Sequence, residues 1–424
     1  MPLFAEGVLW AAAEGGEVAV PTVSSSAPPE DGDAVDGDVG YTAPPSRTGT
    51  IGSVFTTVLT LGPVCRRDIA AATGLSQGSV TKLAKQMIDA GFVVETASIT
   101  TGPGRPLVPL AVVAERQFAV GIKVMADQII AVLVDLSGSV RQSIRETLDC
   151  RDPEAVIERI VRMTHRLLER VPAPAARIAG VGVGIGGHVD RMTGTIMHSP
   201  ALHWPVFPLG RRLQAAVGLP VAVENDVNAL TLAEEWFGAG RGVRSFALVT
   251  IGAGVGAGLV INGELWTGAT GAAGEFGHLI VDPEAPRCDC GRRGCLQSAV
   301  NDEAIITAAS AALGRQVTSL DEVYRGAEQG SQPAQQVIER AGRALGHGLA
   351  LLLNLINPEL VIMSGEGMHD SPFLMGPLRD QLAADAFSST ARDCSLLVRP
   401  MPDEAWAAGA AASMLRIGVL RSLR

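Results

Sequence analysis

Between Gly274 and Cys295 the chain reads GEFGH, nine further residues, and then CDCGRRGC. This stretch gathers His278, Cys288, Cys290 and Cys295, with Gly291 and Gly294 freeing the backbone to fold back on itself. Three thiolates and an imidazole are a complete tetrahedral ligand set for Zn²⁺, with no position left for water. A closed site of this kind builds structure and performs no chemistry. A local disulfide is the competing reading, but it leaves one thiol over and gives the histidine no part. Glu275 sits three residues before His278, where the loop would hold its carboxylate rigidly, so a site for a polar small molecule is expected beside the metal.

The elements that must position these residues alternate between strand and helix from Phe118 onward. FAVGIKVMADQIIAVLVDLSG predicts a strand, a turn and a second strand, and IAGVGVGIGGHVD a buried strand running into a glycine turn. LPVAVENDVNALTLAEEW predicts a strand feeding a helix. SFALVTIGAGVGAGLVINGEL predicts a glycine-rich hairpin, and a long helix around 333–356 leads into the strand ELVIMSG. Ligands of such α/β folds bind at the carboxyl ends of strands, where Asn225 and Asp226 fall.

A different logic governs residues 50–112. The net charge of −10 is unevenly distributed: residues 1–46 hold eight acids and no bases, whereas 47–110 hold six bases against three acids. Two of the three lysines lie in that compact basic block. Residues 51–61 are apolar at helical spacing and stop at Gly62-Pro63, and a second helix is predicted over 66–73 with Ile69 and Ala70 facing in. Gly74-Leu75-Ser76 makes a turn, and Ser76 caps a third helix over 77–90. There Val80, Leu83, Met87 and Ile88 are expected to be buried, leaving Ser79, Thr81, Lys82, Lys85 and Gln86 outward. Such a polar, basic face on the second helix of a helix-turn-helix suits the major groove of double-stranded DNA. Two short strands around a Gly/Pro-rich tip then form a wing, whose Arg105 could enter a narrow minor groove.

Residues 21–49 are Pro, Ser, Gly, Asp and Thr with little to bury, so 1–49 is expected to be a disordered acidic extension. Six scattered cysteines, no basic residue before Arg47 and no long apolar stretch fit the cytoplasm, without a secretory signal or a membrane span.

The Cys/His run, AGEFGH, ENDVNA, IGAGVGAGLVINGEL and LVIMSGEG together resemble the ROK family of repressors, open reading frames and kinases, over residues 50–420. The resemblance implies, for residues 113–424, a two-lobed actin-like ATPase fold of the sugar-kinase kind, preceded by a winged helix-turn-helix. It also implies a sugar in the cleft. In family kinases the aspartate of a motif like ENDVNA deprotonates the sugar hydroxyl, a role that carries over onto Asp226, and sugar contacts carry over onto Asn225, Glu275 and His278. Carboxylates and amides suit this task because each can bond two adjacent hydroxyls.

Two departures shape the functional expectation. Family kinases open this fold with a turn like D-I-G-G-T-K, whose glycines wrap the ATP phosphates. Here Lys123, Val124, Met125, Ala126, Asp127 and Gln128 stand in that place, so side chains fill the close-approach positions and Asp127 repels phosphate. The glycine hairpin Gly252–Gly258 persists. After the last cysteine, the glutamate of a family C-x-E is Gln297, which loses a charge-assisted bond worth on the order of 1 kcal/mol. Ala201 stands where kinases often carry asparagine, and His203, beside Trp204, is expected to pack. The resulting expectation is a sugar- or sugar-phosphate-responsive DNA-binding regulator, not an enzyme, with structural Zn²⁺ and a homodimeric or homotetrameric assembly. An active sugar kinase with an appended DNA-binding domain is the alternative. A regulator that has lost its ligand is the third reading, against which the retained Asn225, Asp226, Glu275 and His278 argue.

Overall fold

The computed structural model describes Tyr41 and residues 49–99, 106–169, 171, 177–283 and 286–423. Most of the acidic extension, and Arg105, lie outside the described residues. The first structured part is α1 (Gly49–Leu61), α2 (Arg66–Thr73), α3 (Gln77–Asp89) and the hairpin β1 (Val93–Glu95) with β2 (Leu110–Val112). Gly74 adopts the left-handed conformation at φ 70° to end α2, and the Ser76 hydroxyl accepts the Ser79 N–H to start α3. Val80, Ala84 and Met87 form the buried stripe of α3. Leu83 and Ile88, expected there, are half-buried on its flanks, because the i, i+4, i+7 row runs through Ala84.

The remainder forms two lobes with matching sheets. The first lobe contains β3 (Phe118–Val124), β4 (Gln128–Asp135), β5 (Val140–Thr147), α4 (Pro153–Leu168), β6 (Ile178–Ile185), β7 (His188–Asp190) and β8 (Thr195–His198). It continues through α5 (Leu209–Val217) and β9 (Val221–Asn225) into α6 (Asp226–Phe237). Its main sheet has the order β5-β4-β3-β6-β9, antiparallel over the first three strands and parallel over the rest.

The second lobe follows the same plan. β10 (Phe246–Ile251), β11 (Val255–Ile261) and β12 (Glu264–Trp266) precede the helices α7 (Gln297–Val300), α8 (Asp302–Leu313), α9 (Leu320–Glu328) and α10 (Gln332–Ile356). β13 (Leu360–Ser364), α11 (Pro372–Asp385), α12 (Thr390–Asp393), β14 (Ser395–Val398) and α13 (Glu404–Ser422) complete the chain. The sheet order is β12-β11-β10-β13-β14, again antiparallel and then parallel. This repeated sheet is the two-lobed actin-like architecture expected from the sequence.

Helix α13 binds the parts together. Fifteen of its nineteen residues are buried, and it approaches the first sheet so closely that a Cβ on Gly121 or Gly182 would lie 1.9 Å from a carbonyl of Ala407 or Ala410. Only glycine fits beneath this helix. Helices α1, α2 and α3 share a continuous apolar core with α6 and α13, with Phe55 of α1 set 6.1 Å from Trp236 of α6 between ring centroids. Arg241 also donates to the Thr60 carbonyl.

Tyr41 anchors the chain ahead of α1. Its ring lies on Gly194 and Gly210, and its hydroxyl accepts the Val223 N–H of edge strand β9 at 3.0 Å. Burial raises the pKa of this phenol, so it stays protonated and donates to the Arg191 carbonyl.

Candidate effector site and Cys/His cluster

Strand β9 ends at Asn225 and α6 begins at Asp226. The Asn225 carbonyl oxygen caps the helix by accepting the N–H groups of Val227 and Asn228, while its amide donates to Gly187. A residue expected to hold a ligand is therefore largely committed to the backbone, with one amide proton left over. Asp226 receives the Val227 N–H on Oδ1 and is ion-paired through Oδ2 with Lys123 Nζ. The side chains are only 8% and 13% exposed, and the ammonium lies 4.6 Å from the Trp406 ring centroid. The lysine thus pairs with and neutralises the carboxylate to which the family resemblance gives the role of base. Sequence alone identified Lys123 as a departure but not as the partner of Asp226.

Glu275 and His278 flank a short turn, Phe276–His278. His278 Nε2 lies 3.8 Å from Glu275 Oε2, while Nδ1 is 3.5 Å from Cys288 Sγ. One imidazole consequently faces Glu275 with one nitrogen and the cysteines with the other. The potential ligand atoms of His278, Cys288, Cys290 and Cys295 all lie within 4.8 Å of one another. Cys290 and Cys295 are 3.5 Å apart between sulfurs; two thiolates at about 2.3 Å from one tetrahedral zinc would be separated by about 3.8 Å. All six cysteines are free thiols. Gly291 and Gly294 adopt positive φ of 86° and 79°, making the knuckle that the sequence implied. Arg292 beside Cys290 draws its thiol down to about 6, whereas burial pushes Cys288 up and Cys295 to about 12.

Gln297 opens α7, and its Oε1 accepts the Val255 N–H of the glycine hairpin. The amide therefore has its N–H donors left for a ligand, the reverse of a glutamate in that place. Across the hairpin, Glu366 packs on Gly252, where a Cβ would meet its carboxyl carbon at 2.5 Å. Asp302 lies against Gly367, its carboxyl raised by burial and by the charge of Glu366. These two acids place negative charge beside the glycine hairpin that persists from the family pattern. Sequence reasoning missed both, although Glu366 stands within the LVIMSGEG stretch that carries the family resemblance.

Beside the knuckle a cavity of about 540 Å³ is lined by His198, His203, Trp204 and Asp289. His203 does not pack as expected: it is exposed in a left-handed conformation at φ 57°. Trp204 is the packing residue, with its N–H donated to the Arg151 carbonyl at 2.6 Å.

On α3, Ser79, Thr81, Lys82 and Lys85 are exposed. Lys85 pairs with Asp89 at 3.0 Å. Gln86 is exposed as well, and its amide also donates to the Leu423 carbonyl at 2.8 Å, because the end of α13 lies against this side of the helix. Among the described residues no helix is long and apolar enough to cross a membrane.

The family profile described as ROK family matches residues 119–417. The DNA-binding transcriptional repressor Mlc of Escherichia coli is 28% identical over 371 residues, covering 85% of this chain and 91% of that protein. A glucokinase of Thermotoga maritima is 32% identical over 294 residues, covering 66% of this chain and 91% of that enzyme. Among solved structures, a ROK family transcriptional regulator described as a homologue of E. coli Mlc superposes with a TM-score of 0.74 at 26% identity. That match covers 88% of this chain and 98% of the other. The repressor alignment thus covers more of this chain than the kinase alignment does.

Proposed function

The chain belongs to the ROK family, and from that premise we propose that it is a sugar-responsive, DNA-binding transcriptional regulator of carbohydrate metabolism that has lost phosphoryl transfer. Residues 50–112 form the DNA-binding part and 113–424 the sensing part, in a homodimer or homotetramer. The observation that carries the loss of catalysis is the buried Lys123–Asp226 pair, which removes the free base. Glu366 against Gly252 adds to it by opposing bound phosphate. The sugar ligand is assigned to the cleft of Asn225, Asp226, Glu275, His278 and Gln297, with the Gln297 donors favouring acceptor atoms on the ligand.

The Cys/His knuckle fits Zn²⁺ in donor type, number and spacing. Zn²⁺ bound by His278, Cys288, Cys290 and Cys295 would supply folding energy and no reaction chemistry. The protein's own contribution is to orient His278, so that Nε2 stays turned toward Glu275 and the ligand. Cys290→Ser is expected to lose bound zinc and to weaken sugar binding. Metal analysis of wild type purified without chelator checks the assignment, which fails if zinc is well below one ion per chain.

Signal transfer is assigned to α6, which begins at Asp226 and ends at Trp236 and Phe237 against the DNA-binding helices. A ligand can shift that contact only through different affinities for two lobe arrangements. Coupling of about 1–3 kcal/mol is typical, roughly a 5–150-fold change in operator affinity. Calorimetric titration of monosaccharides and their phosphates, followed by operator binding with each hit, tests the proposal. Glu275→Gln should bind operator normally and fail to respond to the sugar. Sugar-dependent ATP turnover by the wild type would instead establish the kinase reading favoured by the glucokinase similarity.

A further inference from the structure

Strand β9 is an edge of the first sheet, pairing among the described residues with β6 alone, so its alternate N–H groups face away from the sheet. Three side chains meet those donors in turn. Gln214 Oε1 accepts the Val221 N–H, the Tyr41 hydroxyl that of Val223, and Glu224 Oε1 that of Asn225. Gln214 and Glu224 belong to the lobe itself, whereas Tyr41 arrives from the segment ahead of α1.

The place that Tyr41 fills is shaped for a phenol. Gly194 and Gly210 lie under the ring, and a Cβ on either would fall 2.4 or 2.3 Å from a ring carbon. The hydroxyl meets a donor and an acceptor together, the Val223 N–H at 3.0 Å and the Arg191 carbonyl at 3.4 Å. An aromatic ring without the hydroxyl would satisfy neither. Val223 is 1% exposed, so without the phenol its N–H becomes a buried donor with no acceptor, which is costly.

The residues that receive the hydroxyl lead on to the start of α6. Arg191 is ion-paired at 2.9 Å with Glu224, whose side chain is 4% exposed. Oε1 of that carboxylate accepts both the Asn225 N–H and the Asn228 amide, and so fixes the junction where β9 passes into α6. Tyr41 thus holds the backbone of Arg191 and of the residue before Glu224. We propose that this slot is the docking site of the acidic extension, occupied in cis by Tyr41, and that the seated phenol sets the Asn225–Asp226 junction through β9 and the Arg191–Glu224 pair. The segment that leads into α1, eight positions on, is thereby fastened to the strand that ends at Asn225.

The test needs neither effector nor DNA, so its failure is separate from that of the regulator reading. In full-length Tyr41→Ala, amide hydrogen exchange should rise about tenfold or more at Val223 and also in the first turn of α6. Exchange in α10 should stay unchanged, which checks the fold. 4-Methylphenol, the side chain just removed, should restore protection saturably, whereas toluene, which lacks the hydroxyl, should not. Wild type should not respond to 4-methylphenol, because its slot is filled. Tyr41→Phe keeps the ring and should still lose protection at Val223, which carries the test independently of any loss of fold in the alanine variant. Unchanged exchange over β9 in both variants would overturn the docking, and so would a response of wild type to 4-methylphenol. An increase confined to Val223 would overturn the link to α6, and equal rescue by toluene would overturn the selection of a phenol.

Discussion

Lys123→Ala is expected to destabilise the protein by about 3–5 kcal/mol, the cost of removing one partner of a buried ion pair. Lys123 and Asp226 are 8% and 13% exposed, so water cannot replace the ammonium beside the carboxylate. Loss of the alkyl stem over Trp406 adds to the effect. The decisive comparison is Lys123→Met with Asp226→Asn, which removes both charges and keeps similar volumes. That double variant should recover most of the stability, because the penalty belongs to the stranded charge and not to the missing contact. Denaturant unfolding of the two single variants and the double measures the coupling. Strictly additive losses, or a cost below about 1 kcal/mol for Lys123→Ala, would show that Asp226 is not held by this lysine, and the argument against catalysis would lose its main support.

What the sequence disclosed depended on how locally each feature is encoded. The Cys/His knuckle was legible because its four ligands fall within eighteen residues and its glycines adopt the turns their positions imply. The three helices and hairpin of residues 49–112 were legible for the same reason: the cap at Ser76 and the stop at Gly74 are local signals. By contrast, Lys123 and Asp226 are 103 positions apart, and only folding brings β3 and β9 side by side through β6. The family resemblance gives Asn225 a sugar contact in the motif ENDVNA. The same residue also caps a helix, and the backbone takes most of the amide first. Helix α13 offered no amphipathic pattern, because a helix buried nearly all round has no polar face to mark its orientation. Its contacts with Gly121, Gly182 and Gln86 were consequently invisible until the chain was folded.

Gln86 gives the last prediction, which separates reading DNA from transmitting the signal. Lys82 makes no ion pair among the described residues, whereas Lys85 shares its charge with Asp89 one turn away. Lys82→Ala should therefore weaken operator binding about tenfold and lower the slope of log affinity against log salt by about 1. Lys85→Ala should cost less, and combining both with Ser79→Ala should abolish specific binding at moderate salt. Gln86 spends its amide on the Leu423 carbonyl and so ties α3 to the end of α13. Gln86→Ala should keep operator affinity and base preference nearly unchanged while reducing the shift in affinity that sugar produces. Operator titrations at several salt concentrations, with and without the sugar, distinguish these outcomes. A Gln86→Ala protein that loses preference at one base pair and keeps its full sugar response would return this residue to the groove and break the proposed link between α3 and α13.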